Sequence, residues 1–485
     1  MDCHDNSYRI AQQIYTKICF NPTNNQKNIV EKVSSWLCSS DSDSIFILNG
    51  YAGTGKTTII AAIVAAMDDL KMRTCLLAPT GRAANVLSRY SKRPAHTIHR
   101  HIYNEKTNAQ YESKFSLGFN KHQDILYIVD EASMLSHYSA GDGAQFGSGS
   151  LLDDLVEFVR KGRNCRLMLV GDNAQLPPVG ISYSPALDAT FMGRYGEVVY
   201  GTMDEVVRQE ANSGILYNAT FIRCMMEQGI IDIPKLNFAF PDIECINGGE
   251  FTEKMQECYD KYGRDETVII TRSNKRANRY NEGVRRFTIC AEEAIESGDM
   301  VMIVKNNYFY TEQDKDCPMG FIANGDVACI DRIRNFRELY GFNFAEATLS
   351  FGDHDNTQID CKILLDTISA ESPSLSQADS QRLLHEVEQD YIDINSKIER
   401  FKQIRKNEYF NALQVKFAYA VTCHKAQGGQ WKAVFIDQCI FGDEEMSQDM
   451  MRWLYTAFTR ATEKLYLVSY DERFIDETTV ERDDY

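Results

Sequence analysis

The sequence predicts an α/β chain built on parallel sheets, and three stretches carry that prediction. Ser44-Ile45-Phe46-Ile47-Leu48-Asn49 reads as a buried strand, Gly50-Tyr51-Ala52-Gly53-Thr54-Gly55-Lys56-Thr57 as a phosphate-cradling loop, and Thr58 to Val64 as the helix after it. Ile125 to Val129 forms a second apolar strand ending in the acid pair Asp130-Glu131. Arg166-Leu167-Met168-Leu169-Val170 is a third, running into Gly171-Asp172. Strands this apolar must be covered on both faces, and their alternation with helices is the mark of a parallel sheet.

Each element then has a chemical reading. Gly50, Gly53 and Gly55 let the backbone curl until several N–H groups face the same oxygens, where the following helix also directs its positive end. Such a loop binds the phosphates of ATP: Lys56 reaches the β- and γ-phosphates, Thr57 holds Mg²⁺ through its hydroxyl, and Thr54 and Thr58 complete the contact. The acid pair emerges at the carboxyl end of a central strand, where ligands of open α/β sheets bind. Asp130 is assigned to Mg²⁺ and Glu131 to orienting the attacking water. Gln175, in Gly171-Asp172-Asn173-Ala174-Gln175-Leu176-Pro177-Pro178, suits a γ-phosphate sensor because its amide donates to phosphate and accepts from water. Taken alone, that segment reads more simply as a Pro-terminated turn.

The order of these segments resembles superfamily 1 helicases, specifically the 5′-to-3′ branch (superfamily 1B) of RecD-like, Dda-like and Pif1-like enzymes. The resemblance spans roughly residues 20 to 330 and 410 to 470. It implies two RecA-like domains, each with a small inserted domain, the second SH3-like. It also implies further site residues. Phe20 to Gln26 resembles an adenine-reading motif whose Gln26 pairs with the base, although the same residues read as an ordinary capped helix start. Leu77-Ala78-Pro79-Thr80-Gly81-Arg82 and Thr97-Ile98-His99-Arg100 resemble DNA-contacting motifs, implicating Pro79, Thr80, Arg82 and His99. Asn274 and Lys275 resemble a nucleic-acid-facing turn, and Thr422, His424 and Lys425 the fifth motif of the family. Arg208, in Glu205-Val206-Val207-Arg208-Gln209, and Arg460, in Leu454-Tyr455-Thr456-Ala457-Phe458-Thr459-Arg460-Ala461, resemble the two arginines that reach the triphosphate from the second domain. Singly, an arginine is more often a solvated ion pair.

The implied activity is an ATP-dependent 5′-to-3′ DNA helicase translocating on single-stranded DNA, with tailed or forked duplexes as substrates. Two alternatives stay open: a translocase that remodels protein–DNA complexes without separating strands, and a nucleotide-controlled binding switch.

The 485 residues suit several domains, and the apolar content of 44% suits a globular chain. No run approaches membrane-span length and no export signal is present, so a cytoplasmic protein is expected, and the expected working form is a monomer although the sequence does not fix the oligomeric state. The 14 cysteines include no C-x-x-C pair, which reads as core thiols rather than zinc ligands or disulfides. A net charge of −17 runs against the basic character expected of a nucleic-acid binder. Local clusters answer it: from Lys71 to Lys106 eight Lys or Arg stand against Glu105, with His96, His99 and His101 among them, and from Arg272 to Arg286 six stand against Glu282. A narrow basic groove on an acidic body is the expectation.

Along the chain, residues 1–204 form the first domain, with an inserted pin segment at about 100–123. Its aromatics Tyr103, Tyr111, Phe115 and Phe119 read either as base-stacking rings or as the hairpin's own core. Residues 205–330 and 413–485 form the second domain, with strands at 268–270, 300–303 and 434–436. Residues 331–412 are its insertion, a barrel plus a helical segment at about 376–408. There Leu384, Val387, Tyr391, Ile394, Ile398 and Phe401 make one helical stripe, which packs on the barrel or serves a protein partner. The glycine-rich stretch 139–150 has no readable function.

Overall fold

A computed structural model describes residues 3–107, 113–138, 147–206, 212–312, 317, 319, 321–354, 356–440, 442 and 444–476. Strands that are apolar on both faces need helices on both faces, and two sheets are built this way. The first lobe's strands are Ile45–Gly50 (β1), Arg73–Ala78 (β2), Ala95–Thr97 (β3), Ile125–Val129 (β6), Arg166–Gly171 (β7) and Val198–Met203 (β8). They form one parallel sheet in the order β3-β2-β6-β7-β1-β8, with β1, β6 and β7 buried at every residue. Alternation splits the packing: Phe46 and Leu48 meet the helices carrying Ile29, Val33, Ile59 and Ile63, while Ile45 and Ile47 face Leu152, Leu155 and Phe158. Between β3 and β6, Tyr103–Thr107 (β4) and Ser113–Leu117 (β5) pair as an antiparallel hairpin.

The second lobe's strands are Ile243–Ile246 (β9), Thr267–Thr271 (β10), Ala420–Thr422 (β16), Trp431–Ile436 (β17) and Ala461–Val468 (β18), parallel in the order β16-β10-β17-β18-β9. Inserted in it is a closed five-stranded barrel of the small SH3-like kind: Met300–Ile303 (β11), Val327–Leu339 (β12), Phe342–Phe351 (β13), Thr357–Leu364 (β14) and Leu413–Phe417 (β15).

Two sequence expectations need correction here. Met300–Ile303 belongs to the barrel and not to the parallel sheet, because it pairs antiparallel with both β12 and β15. A four-residue apolar run carries no periodicity that separates these two fates. The single helical stripe is two helices, Gln377–Gln389 and Lys397–Ile404, broken over Asp390 to Ser396, where Ser396 caps the second. Leu383, Val387 and Ile404 join Phe342, Phe344 and Leu364 in one small core, so the pair does pack on the barrel, while Ile398 is exposed. Among the described residues no helix is long and apolar enough to cross a membrane.

Candidate functional site

The loop after β1 reaches its shape through glycine: Gly53 and Gly55 sit at φ 72° and 82°, and Gly55 starts the helix Lys56–Asp69. Lys56 Nζ donates to the Gly50 and Tyr51 carbonyls and stands 4.0 Å from Asp172 Oδ2. Asp130 follows β6 directly, its Oδ1 accepting the Glu131 amide at 2.9 Å. Desolvation first, then the Glu131 charge, pushes the Asp130 carboxyl up to about 7. A desolvated carboxylate beside a second one is oxygen chemistry that a hard divalent cation satisfies. Among the described residues no three His, Cys, Asp or Glu converge on a metal site, so such a cation would lean on Thr57, Asp130 and substrate oxygens.

Gln175 is buried, with Nε2 3.5 Å from Asp172 Oδ2 and Oε1 without any partner. A buried acceptor left open beside the loop suits a bound water or ligand. Gln26 differs from the adenine-reading expectation. Its Oε1 accepts the Thr23 amide at 3.0 Å and its Nε2 donates to the Thr54 carbonyl at 3.0 Å, so both ends of a fully buried amide are already engaged. The capped helix start is thus present, tied to the phosphate loop.

The second lobe closes the cleft. Arg460, 4% exposed, donates to the carbonyls of Thr456 and Gly429 and to Thr459 Oγ1, and its Nη1 lies 3.9 Å from Glu131 Oε1. Tyr455 Oη accepts the Ala52 amide at 3.0 Å and donates to Asp172 Oδ2 at 2.7 Å. The Leu176 amide donates to Thr456 Oγ1 at 2.9 Å and its carbonyl accepts Gln427 Nε2 at 2.7 Å. Arg208 lies outside the described residues.

The residues read as nucleic-acid contacts fall into two groups. Thr80 Oγ1 accepts the Ala83 amide as a helix cap, and Arg82 stacks across the lobes on the Trp431 ring at 3.9 Å. Gly428 and Gly429 make this approach feasible: a Cβ on either would come within 2.7 Å of Ala83 or Trp431. Thr422, His424 and Lys425 lie on one short segment, with the Thr422 hydroxyl unused as a cap. Lys425 is pushed down to about 8 by burial and then by Lys416. Lys275 faces Glu371 at 3.7 Å.

The sequence count of basic residues needs correction, because acids distant in sequence neutralise much of it. Arg272 pairs with Glu444, Arg276 with Asp437, Arg285 with Asp299, Arg89 with Asp353 and Arg93 with Asp68. The histidines add nothing: burial drives His99 and His101 down to about 4. Tyr103 is also removed from the pin rings, since it is 7% exposed and donates to Asp154 Oδ2 at 2.6 Å. Phe119 is 70% exposed, whereas Tyr111 and the Phe115 side chain lie outside the described residues.

Sequence reasoning assigned no role to Asp172, Arg223, Trp431 or Tyr455. Asp172 and Tyr455 stand inside the motif stretches quoted, but only the fold shows that their side chains meet.

A phosphate loop and an acid pair on one parallel sheet, faced across a cleft by a buried arginine from a second, define the two-lobed P-loop nucleoside triphosphatase class. Residues 23–220 match the family model of an AAA domain, and residues 417–468 that of a UvrD-like helicase C-terminal domain. The mimivirus (Acanthamoeba polyphaga mimivirus) protein R530, named uncharacterized, is 22% identical over 88% of this chain and 96% of its own. The ATP-dependent RecD2 DNA helicase of Deinococcus radiodurans is 32% identical over 33% of this chain, which spans only 19% of that protein. A crystal structure of the Pif1 helicase from Bacteroides with ADP-AlF3 and ssDNA aligns over 94% of this chain and 95% of that one, at 13% identity and a TM-score of 0.49. The family models thus match this chain as an AAA domain followed by a UvrD-like helicase C-terminal domain, and its sequence is similar in part to that of the RecD2 helicase.

Proposed function

We propose that this chain is an ATP-driven DNA helicase that moves 5′ to 3′ on single-stranded DNA and opens tailed or forked duplexes. The observation that carries the reading is Arg460 of the second lobe, buried and 3.9 Å from Glu131 beside the phosphate loop of the first. In this reading Lys56 leaves the loop carbonyls to hold the β- and γ-phosphates, and loop amides share that charge. Thr57 and Asp130 would hold Mg²⁺, which when bound would supply charge neutralisation for the phosphates. Glu131 and the open Gln175 oxygen orient the attacking water, while Arg460 turns from Glu131 toward the γ-phosphate, where its planar fork matches phosphate oxygens. Arg208 is assigned the same task from the second lobe. Once the shared anion is gone, the attraction between the lobes falls and the cleft reopens.

On the DNA side the reading assigns Pro79, Thr80 and His99 of the first lobe and Asn274, Lys275, Thr422, His424 and Lys425 of the second. Lobes that grip the strand in turn advance along it with each ATP.

Steady-state ATP turnover with and without single-stranded DNA tests the motor, and partial duplexes test direction. Turnover stimulated by DNA, with unwinding from a 5′ tail only, is expected. Turnover indifferent to DNA would leave a nucleotide switch, DNA-stimulated turnover without strand separation a remodelling translocase, and unwinding from a 3′ tail alone would reverse the polarity.

A further inference from the structure

The phosphate loop is held by the second lobe directly, through contacts between their own side chains and backbone. Tyr51 and Ala52 pack into the second lobe's core, and the Arg223 guanidinium lies 4.2 Å over the Tyr51 ring. The Ala52 amide donates to Tyr455 Oη at 3.0 Å, and that hydroxyl donates to Asp172 Oδ2 at 2.7 Å. Lys56 Nζ approaches the same carboxylate oxygen to 4.0 Å. Asp172 is 0% exposed and Tyr455 1%, so the carboxylate and the hydroxyl act on one another with little solvent screening, and the Lys56 side chain beside them is 17% exposed.

Resting on the motor reading above, we infer that Tyr455 is a positioning residue that carries the state of the phosphate loop to the second lobe. While Lys56 rests on the loop carbonyls, its charge offsets Asp172 and the carboxylate pulls only moderately on the tyrosine hydroxyl. When Lys56 swings to a triphosphate, the buried carboxylate loses that cation. It then relies on its remaining donors, the Ala174 amide, the Gln175 amide and the Tyr455 hydroxyl. The hydroxyl bond strengthens, and the polarised oxygen becomes a better acceptor for the Ala52 amide. The second lobe therefore tightens on the loop as nucleotide arrives and slackens when Lys56 returns. Helix Gln448–Phe458 carries Tyr455 and leads directly into Arg460, so the same movement sets the arginine.

The test is linkage: the affinity of fluorescein-labelled oligo(dT), measured with and without a non-hydrolysable ATP analogue and Mg²⁺. In the unaltered chain the two affinities should differ by about fivefold or more. In Tyr455→Phe, which keeps the ring but loses both hydrogen bonds, the ratio should fall to within about twofold of one, with analogue affinity in the absence of DNA changed less than about threefold. Asp172→Asn, which removes the charge and keeps the shape, should diminish the same ratio. A full ratio in either folded variant overturns the inference, including the case where Tyr455→Phe merely lowers the melting temperature. A ratio of one in the unaltered chain, together with ATP turnover indifferent to DNA, overturns the motor reading itself.

Discussion

Lys425 and Lys416 are near each other, and burial leaves each at about 8, without any carboxylate among the groups that shift them. A phosphate placed against Lys425 would raise its pKa again, so strand binding takes up a proton whenever the free lysine is neutral. The sign follows: affinity for single-stranded DNA should be flat below pH 8 and should fall as pH rises above it, by up to about tenfold per unit for one lysine. His424 contributes no slope there, because burial lowers it against the weaker pull of Asp449 and it is already neutral. Lys425→Arg stays charged and should flatten the profile, which anisotropy titrations at pH 7 to 9.5 would record. A profile unchanged by Lys425→Arg would place the strand elsewhere. Lys56 gives the complementary case. It touches the loop carbonyls and lies near Asp172, so Lys56→Ala should abolish ATP turnover while leaving strand affinity without nucleotide within about threefold. Loss of both in a folded variant would contradict that division.

At the scale of elements, Gly428 is where geometry leaves the least room. Its φ of 74° and a Cβ position 2.7 Å from that of Ala83 make Gly428→Ala strained twice over. The left-handed conformation alone costs roughly 1–2 kcal/mol, and the clash drives the segment off the first-lobe helix Gly81–Ser91. Turnover stimulated by DNA should drop about tenfold or more, with far-UV circular dichroism unchanged. The exposed Phe119, just beyond β5, should matter to strand separation only: Phe119→Ala should slow unwinding of a forked duplex while ATP turnover stays. A stacked base is worth about 1–3 kcal/mol. These elements also mark what was legible in the sequence. β1, β6 and β7 were readable because a central parallel strand is apolar throughout and each ends in a motif. Ala95–Thr97 and Ala420–Thr422 were not, since three residues carry no period, and the exposed Thr462 and Glu463 at its start hide β18. The broken stripe from Leu384 to Phe401 keeps its apolar spacing through Tyr391 and Ile394, so only Ser396 as a cap signals the interruption.

For the whole molecule, the decisive quantity is how many positive charges remain for a polynucleotide once the internal ion pairs are counted. The charge clusters read from sequence gave a basic groove, but a linear count cannot see Asp437, Asp299 or Glu444 folding back onto Arg276, Arg285 and Arg272. Arg279 and Arg286 stay exposed, and Lys275 has only a partner at 3.7 Å. With Lys425, roughly four cations of the second-lobe segments assigned to the strand stand ready to displace counterions, on a body whose net charge is −17. For single strands each neutralised phosphate contributes about −0.7 to the slope of log affinity against log salt, so four give about −3. A protein gripping through a broad basic surface would show a slope of about −6 or steeper. Titrating labelled oligo(dT) between 50 and 300 mM NaCl should therefore return the shallow slope, about −3, and Lys425→Gln should reduce it by about one contact. The acidic exterior adds a second expectation from the same balance: blunt duplex, which meets more of the acidic body, should bind far more weakly than a strand at equal salt, because the few available cations do not offset that repulsion. Equal affinity for blunt duplex and single strand, or a slope near −6, would mean that the polynucleotide lies on a surface other than the one lined by Lys275, Thr422 and Lys425.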